Sequence, residues 1–251
     1  MIMKYSPLLR AYVATAALFI CALPAYAQSF KVNWAPSFGG SCTDCNLSGR
    51  NMAGWTLNGA NYSGANMEYT MMRRVQAQGA IFNKARANGV DLRAAVLTNS
   101  EFADAMLTNA RLQGIRADGA QFRGADFSNA QMNGATLIGA NLAGANLNAA
   151  KLPNSDLSGA NLTGAQLQSA ILTGVVFDGA NMSGTNLQGA DISGAFFRDV
   201  RFIDADLTGA VGYDTADFSG ACVSIETKVL PVLNLPQCSA TLGSDAMAAA
   251  E

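Results

Sequence analysis

The stretch Ala140-Asn141-Leu142-Ala143-Gly144-Ala145-Asn146-Leu147-Asn148-Ala149 states one five-residue pattern twice in succession. Working outward, the pattern returns as Ala160-Asn161-Leu162-Thr163-Gly164 and Ala165-Gln166-Leu167-Gln168-Ser169. A large apolar residue falls at every fifth position from Leu47 to Leu207, and only Ala77, Ala87 and Ala117 depart from Leu, Phe, Met, Ile or Tyr. Two positions before each centre stands a small residue; the exceptions are Arg50, Trp55, Val75, Val90, Ile115, Val175 and Val200. The run extends without a break from Cys45 to Gly209. Self-similarity at a fixed period decides the architecture before any local propensity does.

A period of five matches neither the 3.6 of a helix nor the 2.0 of a strand. Gly and Ala sit throughout, and Asn, Asp, Ser and Thr fill the remaining places, which is turn chemistry. Gly at this density would cost a helix about 1 kcal/mol at each occurrence. A chain that turns every five residues, burying one large and one small side chain each time, coils around a continuous core. Successive coils then stack with strand-like hydrogen bonding at about 4.8 Å per step.

The Ala-(Asp/Asn)-Leu-x-x pattern, as in Ala160-Asn161-Leu162 or Ala190-Asp191-Ile192, resembles the pentapeptide-repeat family over residues 45–209, returning at 216–220. The resemblance implies an all-β fold, a right-handed quadrilateral β-helix of four pentapeptides per coil. Centre and small residue both point inward. About eight coils at the stacking distance make a rod roughly 40 Å long. Folding the sequence at twenty residues tests this. One column reads Tyr62, Phe82, Phe102, Phe122, Leu142, Leu162, Met182, Phe202. A run of aromatics on one face is what stacked rings in a core produce. In the column Leu57, Ala77, Leu97, Ala117, the two alanines are accompanied by Val75 and Ile115 at the small positions. The bulk is moved rather than lost, as a packed core tolerates.

The ends read differently. Lys4 and Arg10, the apolar run Ala11 to Leu23, and Ala25-Tyr26-Ala27 form a signal peptide cleaved after Ala27. The apolar run is shorter than the about 20 residues of a membrane span, so no stable anchor is expected after cleavage. The expected location is the periplasm. Removing Lys4 and Arg10 takes the formal charge from −2 to −4. Residues 28–44 are the expected N-terminal lead-in and cap, with Phe30, Trp34 and Phe38 across the first coil. Residues 45–220 are the β-helix, with a one-residue break in register between Gly209 and Ala216. Residues 221–238 form the expected C-terminal cap and 239–251 a disordered tail. Such caps close the open ends of a stacked repeat.

Four cysteines remain in the mature chain, Cys42, Cys45, Cys222 and Cys238, which in an oxidising compartment allow three disulfide connectivities. The pairs flank opposite ends of the repeat, and a bridge needs Cα atoms within about 7 Å. Cys42–Cys45 and Cys222–Cys238 are therefore the expected pairs.

The chain has no histidine, which removes Ser-His, Cys-His and zinc-His chemistry. No paired carboxylates and no phosphate-cradling glycine loop stand out, so no catalytic, cofactor-binding or metal residue is assigned. A filled core leaves no interior cavity for a ligand. The function expected is that of a non-enzymatic periplasmic scaffold or protein-interaction rod with an unidentified protein partner. Charge is uneven along it. Between Glu68 and Arg123 eight basic residues face five acids, and from Gly124 to Thr227 three face ten. Arg73 and Arg93 lie one coil apart with Arg111 nearby, a set suited to gripping an anion, against the plain reading of a solvated mixed surface. Val176 and Phe196, outward and one coil apart, form an apolar spot that serves either as a seat for the C-terminal cap or as a dimer seam at that end.

Two rivals accompany this reading. The resemblance extends to cytoplasmic members that bind DNA gyrase as strongly acidic, duplex-sized DNA mimics. Here the export signal, weak acidity and basic front half depart from that pattern, since duplex charge is dense, about one per 1.7 Å of axis. No nucleic-acid partner is expected. The other rival is a thiol-disulfide protein using Cys42-Thr43-Asp44-Cys45, which lacks the βαβ context of such motifs.

Overall fold

The computed structural model of the protein describes residues 40–228 and 233–238, all within one compact unit, Pro36–Glu251. The expected signal peptide, Phe30, Trp34, Phe38 and the tail 239–251 lie outside the described residues.

One five-residue step accounts for the fold, and Ala140 to Gly144 illustrate it. Ala140 and Leu142 are fully buried, while Asn141, Ala143 and Gly144 face outward. Gly144 has φ +67, and the next amide, Ala145, donates to the Leu142 carbonyl at 3.0 Å. Positive φ at the third residue alone is the signature of a type II turn. The same left-handed position is taken by Gly in most steps and by Asn99, Asn109, Asn129 and Asn154 in others. Gly and Asn tolerate that backbone best.

Between turns the backbone bonds to the coils on either side. The Asn141 amide donates to Ala120 O at 2.9 Å, Leu142 to Asn161 O at 2.7 Å, and Gly144 to Thr163 O at 2.9 Å. Parallel bridges accordingly run at a spacing of twenty residues, from Asn46↔Asn66 to Asp191↔Val211. Each coil therefore holds four five-residue steps. Turns consume the rest of each step, so pairing is mostly confined to single residues rather than continuous strands. Only β1 (Arg201–Phe202) and β2 (Cys222–Val223) pair as two-residue strands, in parallel.

The fifth amide of each step, after the centre, has no backbone partner within this scheme, and in many steps an Asn or Asp side chain supplies one. Ala143, Thr163, Ser183 and Ser193 donate to Oδ1 of Asn141, Asn161, Asn181 and Asp191, two residues back, at 3.0–3.2 Å. In some steps where that position is not Asn or Asp, an Asn or Asp from the coil before takes over. Gln78 donates to Asn58, Ala103 to Asn83 and Gln168 to Asn148, at 2.8–2.9 Å. This explains Asn and Asp before the centre. A ladder along the stack is secondary: Asn161 Nδ2 reaches Asn141 Oδ1 at 3.4 Å and Asn141 Nδ2 reaches Gln121 Oε1 at 3.2 Å.

From Met52 to Ala210 both inward positions are buried, with Trp55 alone half-buried. The polar occupants of small positions satisfy themselves on carbonyls. Thr70, Ser100, Ser155 and Thr185 donate to Leu47, Leu97, Met132 and Met182 at 2.6–3.0 Å. The aromatic column stacks as the sequence predicts. Tyr62–Phe82, Phe82–Phe102 and Phe102–Phe122 have centroids 5.5, 4.7 and 5.2 Å apart, and burial pushes the Tyr62 hydroxyl up to about 12. A second stack, Phe177–Phe197–Phe218, forms toward the C-terminal end at 5.1 and 5.0 Å.

Register changes where the sequence breaks. Phe196 bridges Asp217 and Arg201 pairs with Cys222, both twenty-one residues on. The extra residue is taken up around Gly212, where an added Cβ would meet Ser193 Cα at 2.6 Å. Beyond it, residues 233–238 lie over the last rung. Gln237 bridges Val223, the Cys238 amide donates to Val223 O at 2.8 Å, and the Cys222 and Cys238 sulfurs are 2.05 Å apart. At the front, Cys42 and Asp44 donate to Asn61 O and Ser63 O, and the Cys42 and Cys45 sulfurs are 2.25 Å apart.

A Cβ at Gly144 would meet nothing within 4 Å, so substitutions there isolate the backbone cost. Gly144→Val is expected to lose about 1–2 kcal/mol of stability and Gly144→Asn less, measured by chemical denaturation. Equal losses would contradict the left-handed turn.

Candidate functional site: an arginine-lined groove

With the interior filled, chemistry is confined to outward positions. On the face whose centres are Met72, Leu92 and Leu112, the outward residues bring Arg73, Asp91, Arg93 and Arg111 together. Arg73 and Arg93 occupy the turn position after the centre in successive coils. Asp91 and Arg111 occupy the bridging position before it and pair directly, Asp91↔Arg111.

Asp91 is only 6% exposed and organises the group. Arg73 Nε donates to its Oδ2 at 2.6 Å, while Arg93 forks across it, Nε to Oδ1 and Nη2 to Oδ2, each at 2.8 Å. Hydrogen bonds from Arg93 hold the carboxyl well below the usual carboxylate range. Burial pulls the other way, and Arg73 adds to the lowering. An open groove of about 630 Å³ lies beside the pair, lined by Ala53, Gly54, Arg73, Arg74, Arg93 and Ala94. Arg74 and Arg111 form no ion pair among the described residues.

The predicted trio of Arg73, Arg93 and Arg111 thus shares one face, but the sequence reading omitted two members. Asp91 reads from sequence as one more Asp before a centre, and only the coil-to-coil register brings both guanidiniums to it. Arg74 holds a left-handed backbone, φ 56, at a position usual for glycine. Tyr69, Lys84 and Ala94 share that mismatch, so sequence alone does not single Arg74 out. Tyr69, 71% exposed with φ 56 and its ring against Gly89, and the exposed Met71 precede it in the same coil.

The second predicted spot is small. Val176 bridges Phe196 but is half-buried, and Phe196 is 38% exposed. The Arg198 guanidinium sits 5.3 Å from the Phe196 ring centroid and forks onto Asp178. A cation over the ring face is favourable in itself. Cys42 and Cys45 flank the first rung, half-buried against the core. Among the described residues no three His, Cys, Asp or Glu side chains gather as a metal ion requires, and no helix is long and apolar enough to cross a membrane.

Because the Asp91 carboxyl titrates below its unfolded value of about 3.9, its pairing stabilises the fold above that pH and is lost as pH falls through the lower folded value. Asp91→Asn is expected to melt at lower temperature than the wild type near neutral pH, with the gap closing as pH drops below about 3.9. A gap independent of pH in thermal melts would contradict this role.

Among curated proteins, none matches the sequence. Of solved structures, HetL from the cyanobacterium Nostoc sp. strain PCC 7120, a pentapeptide repeat protein involved in heterocyst differentiation regulation, is 24% identical. The alignment covers 90% of this chain and 95% of HetL with a TM-score of 0.64, a likeness of fold alone. Full-length QnrB1, a plasmid-mediated fluoroquinolone resistance protein, is 20% identical over 74% of this chain and 94% of its own, with a TM-score of 0.47. A family model described as pentapeptide repeats matches in eight copies, over residues 72–114, 106–142, 140–179 and 180–211. That match spans more than half of a chain built from repeated five-residue turns, and the chain belongs to the pentapeptide repeat family.

Proposed function

We propose that the protein is an exported, non-enzymatic scaffold that engages a protein partner through its outward faces. The observation that carries this reading is the filled interior. Both inward positions are buried from Met52 to Ala210 apart from Trp55, so every group able to meet a partner stands on an outer face. Those faces are rigid, since the inter-coil hydrogen bonds recur at each step. Such preorganisation lowers the entropic cost of binding. Arg73, Arg93 and Arg111 on one face, and Phe196 beside Val176 on another, are the contact surfaces. Arginine and aromatic residues are what protein interfaces favour.

The coils wind right-handed, the sense favoured for parallel crossovers, in about eight turns of four steps. Export rests on the segment 1–27, with cleavage after Ala27 delivering the mature chain to the periplasm. Oxidised Cys42–Cys45 and Cys222–Cys238 fit that compartment and fasten the two caps.

Mass spectrometry of the native protein is expected to find Gln28 at the N-terminus and no free thiols. Photo-crosslinking residues placed at Gln113 and Asp178, beside the two contact surfaces, are expected to give discrete adducts in intact cells. Adducts with a second copy from Asp178 alone would place a dimer seam at the C-terminal end. An uncleaved, reduced protein that gives no adduct from either position overturns the reading.

A further inference from the structure

We infer that the groove beside Arg73, Arg74 and Arg93 binds a doubly charged tetrahedral oxyanion of the phosphate class. The inference deepens the interaction reading by naming the chemistry that the arginine face takes. Charge gives the valence: three guanidiniums line the groove and one carboxylate, Asp91, is bonded to two of them, leaving two positive charges. A dianion balances that set.

Donor geometry points the same way. Asp91 occupies Nε of Arg73 and both Nε and Nη2 of Arg93. Both Nη groups of Arg73, Nη1 of Arg93 and the whole Arg74 guanidinium donate to no acceptor among the described residues. Arginine held by a buried carboxylate presents its remaining donors in a fixed direction, the arrangement that recognises phosphate oxygens by paired hydrogen bonds. The floor is small. Ala53, Gly54 and Ala94 leave the space of about 630 Å³ that a longer side chain would fill.

The arrangement is local rather than a property of the repeat. In the turn column that holds Arg73 and Arg93, the coils on either side carry Ala53 and Gln113, and Asn133 and Pro153 follow. Arg74 also keeps a left-handed backbone at φ 56, an occupant the turn does not favour, at the edge of this groove.

Isothermal titration of the mature protein with inorganic phosphate at low ionic strength tests the inference. Saturable binding at one site is expected, with Arg74→Gln and Arg93→Gln each weakening it at least about tenfold, as loss of a charge-assisted hydrogen bond implies. Arg123→Gln, in a turn that does not line the groove, is expected to bind as the wild type does. Arg74 belongs to no ion pair, so its variant is decisive even if Arg93→Gln loses stability with Asp91. Sulfate competing with phosphate assigns the site to tetrahedral dianions at large, and sulfate failing to compete assigns it to phosphate. Either result supports the site. No saturable binding, unchanged affinity in Arg74→Gln, or an equal loss in Arg123→Gln overturns it. Because the probe is a free ion, failure leaves the protein-interaction reading standing, and crosslinks can fail while phosphate still binds.

Discussion

Every coil rests on a backbone that reverses at a residue with φ near +60 and must then satisfy five amides per step. In the step from Ala140 to Gly144, one amide closes the turn, three bond to neighbouring coils, and one is left for the Asn141 side chain. A buried amide without a partner costs free energy comparable to a lost hydrogen bond. The sequence pattern is the solution to that accounting. Gly or Asn sits where φ is positive, and Asn or Asp sits where its oxygen reaches the fifth amide.

The same geometry confines function to the surface. Large and small inward residues alternate around each coil, and aromatic rings from Tyr62 to Phe122 stack at 4.7–5.5 Å. What varies freely is the outward side chain, and there the face carrying Asp91 departs from its neighbours. One carboxylate of low exposure fixes two arginines, and small residues beside them open a groove. At the C-terminal end a comparable device appears in miniature, Arg198 held by Asp178 against the Phe196 ring.

Much of this was legible in the sequence, because the five-residue period fixes which residues point inward and which share a column. The aromatic stack and the register break near Gly212 followed directly from that indexing. The arginine site was half legible. Arg73, Arg93 and Arg111 fall together by column arithmetic, but Asp91 looks like any aspartate before a centre until the depth of its carboxylate is known. Arg74 and Tyr69 sit at turn positions that a pattern search treats as interchangeable, whereas the backbone there prefers Gly or Asn. The column Asn141, Asn161, Asn181 suggests a side-chain ladder along the stack from the sequence alone. Asn141 does both: its oxygen accepts from the Ala143 amide two residues on, and its amide group reaches Gln121 along the stack, each at 3.2 Å.

Residue-resolved amide hydrogen exchange tests this backbone scheme most directly. Slow exchange is predicted at the residue before the centre, at the centre and at the left-handed position of each step from Tyr62 to Leu187, repeating every five residues. The amide after the centre should be slow where an Asn or Asp oxygen accepts from it, as at Ala143 and Ala103, and should speed up in Asn141→Ala or Asn83→Ala respectively. Protection that shows no five-residue period, or an Ala143 amide indifferent to the loss of Asn141, would contradict the account.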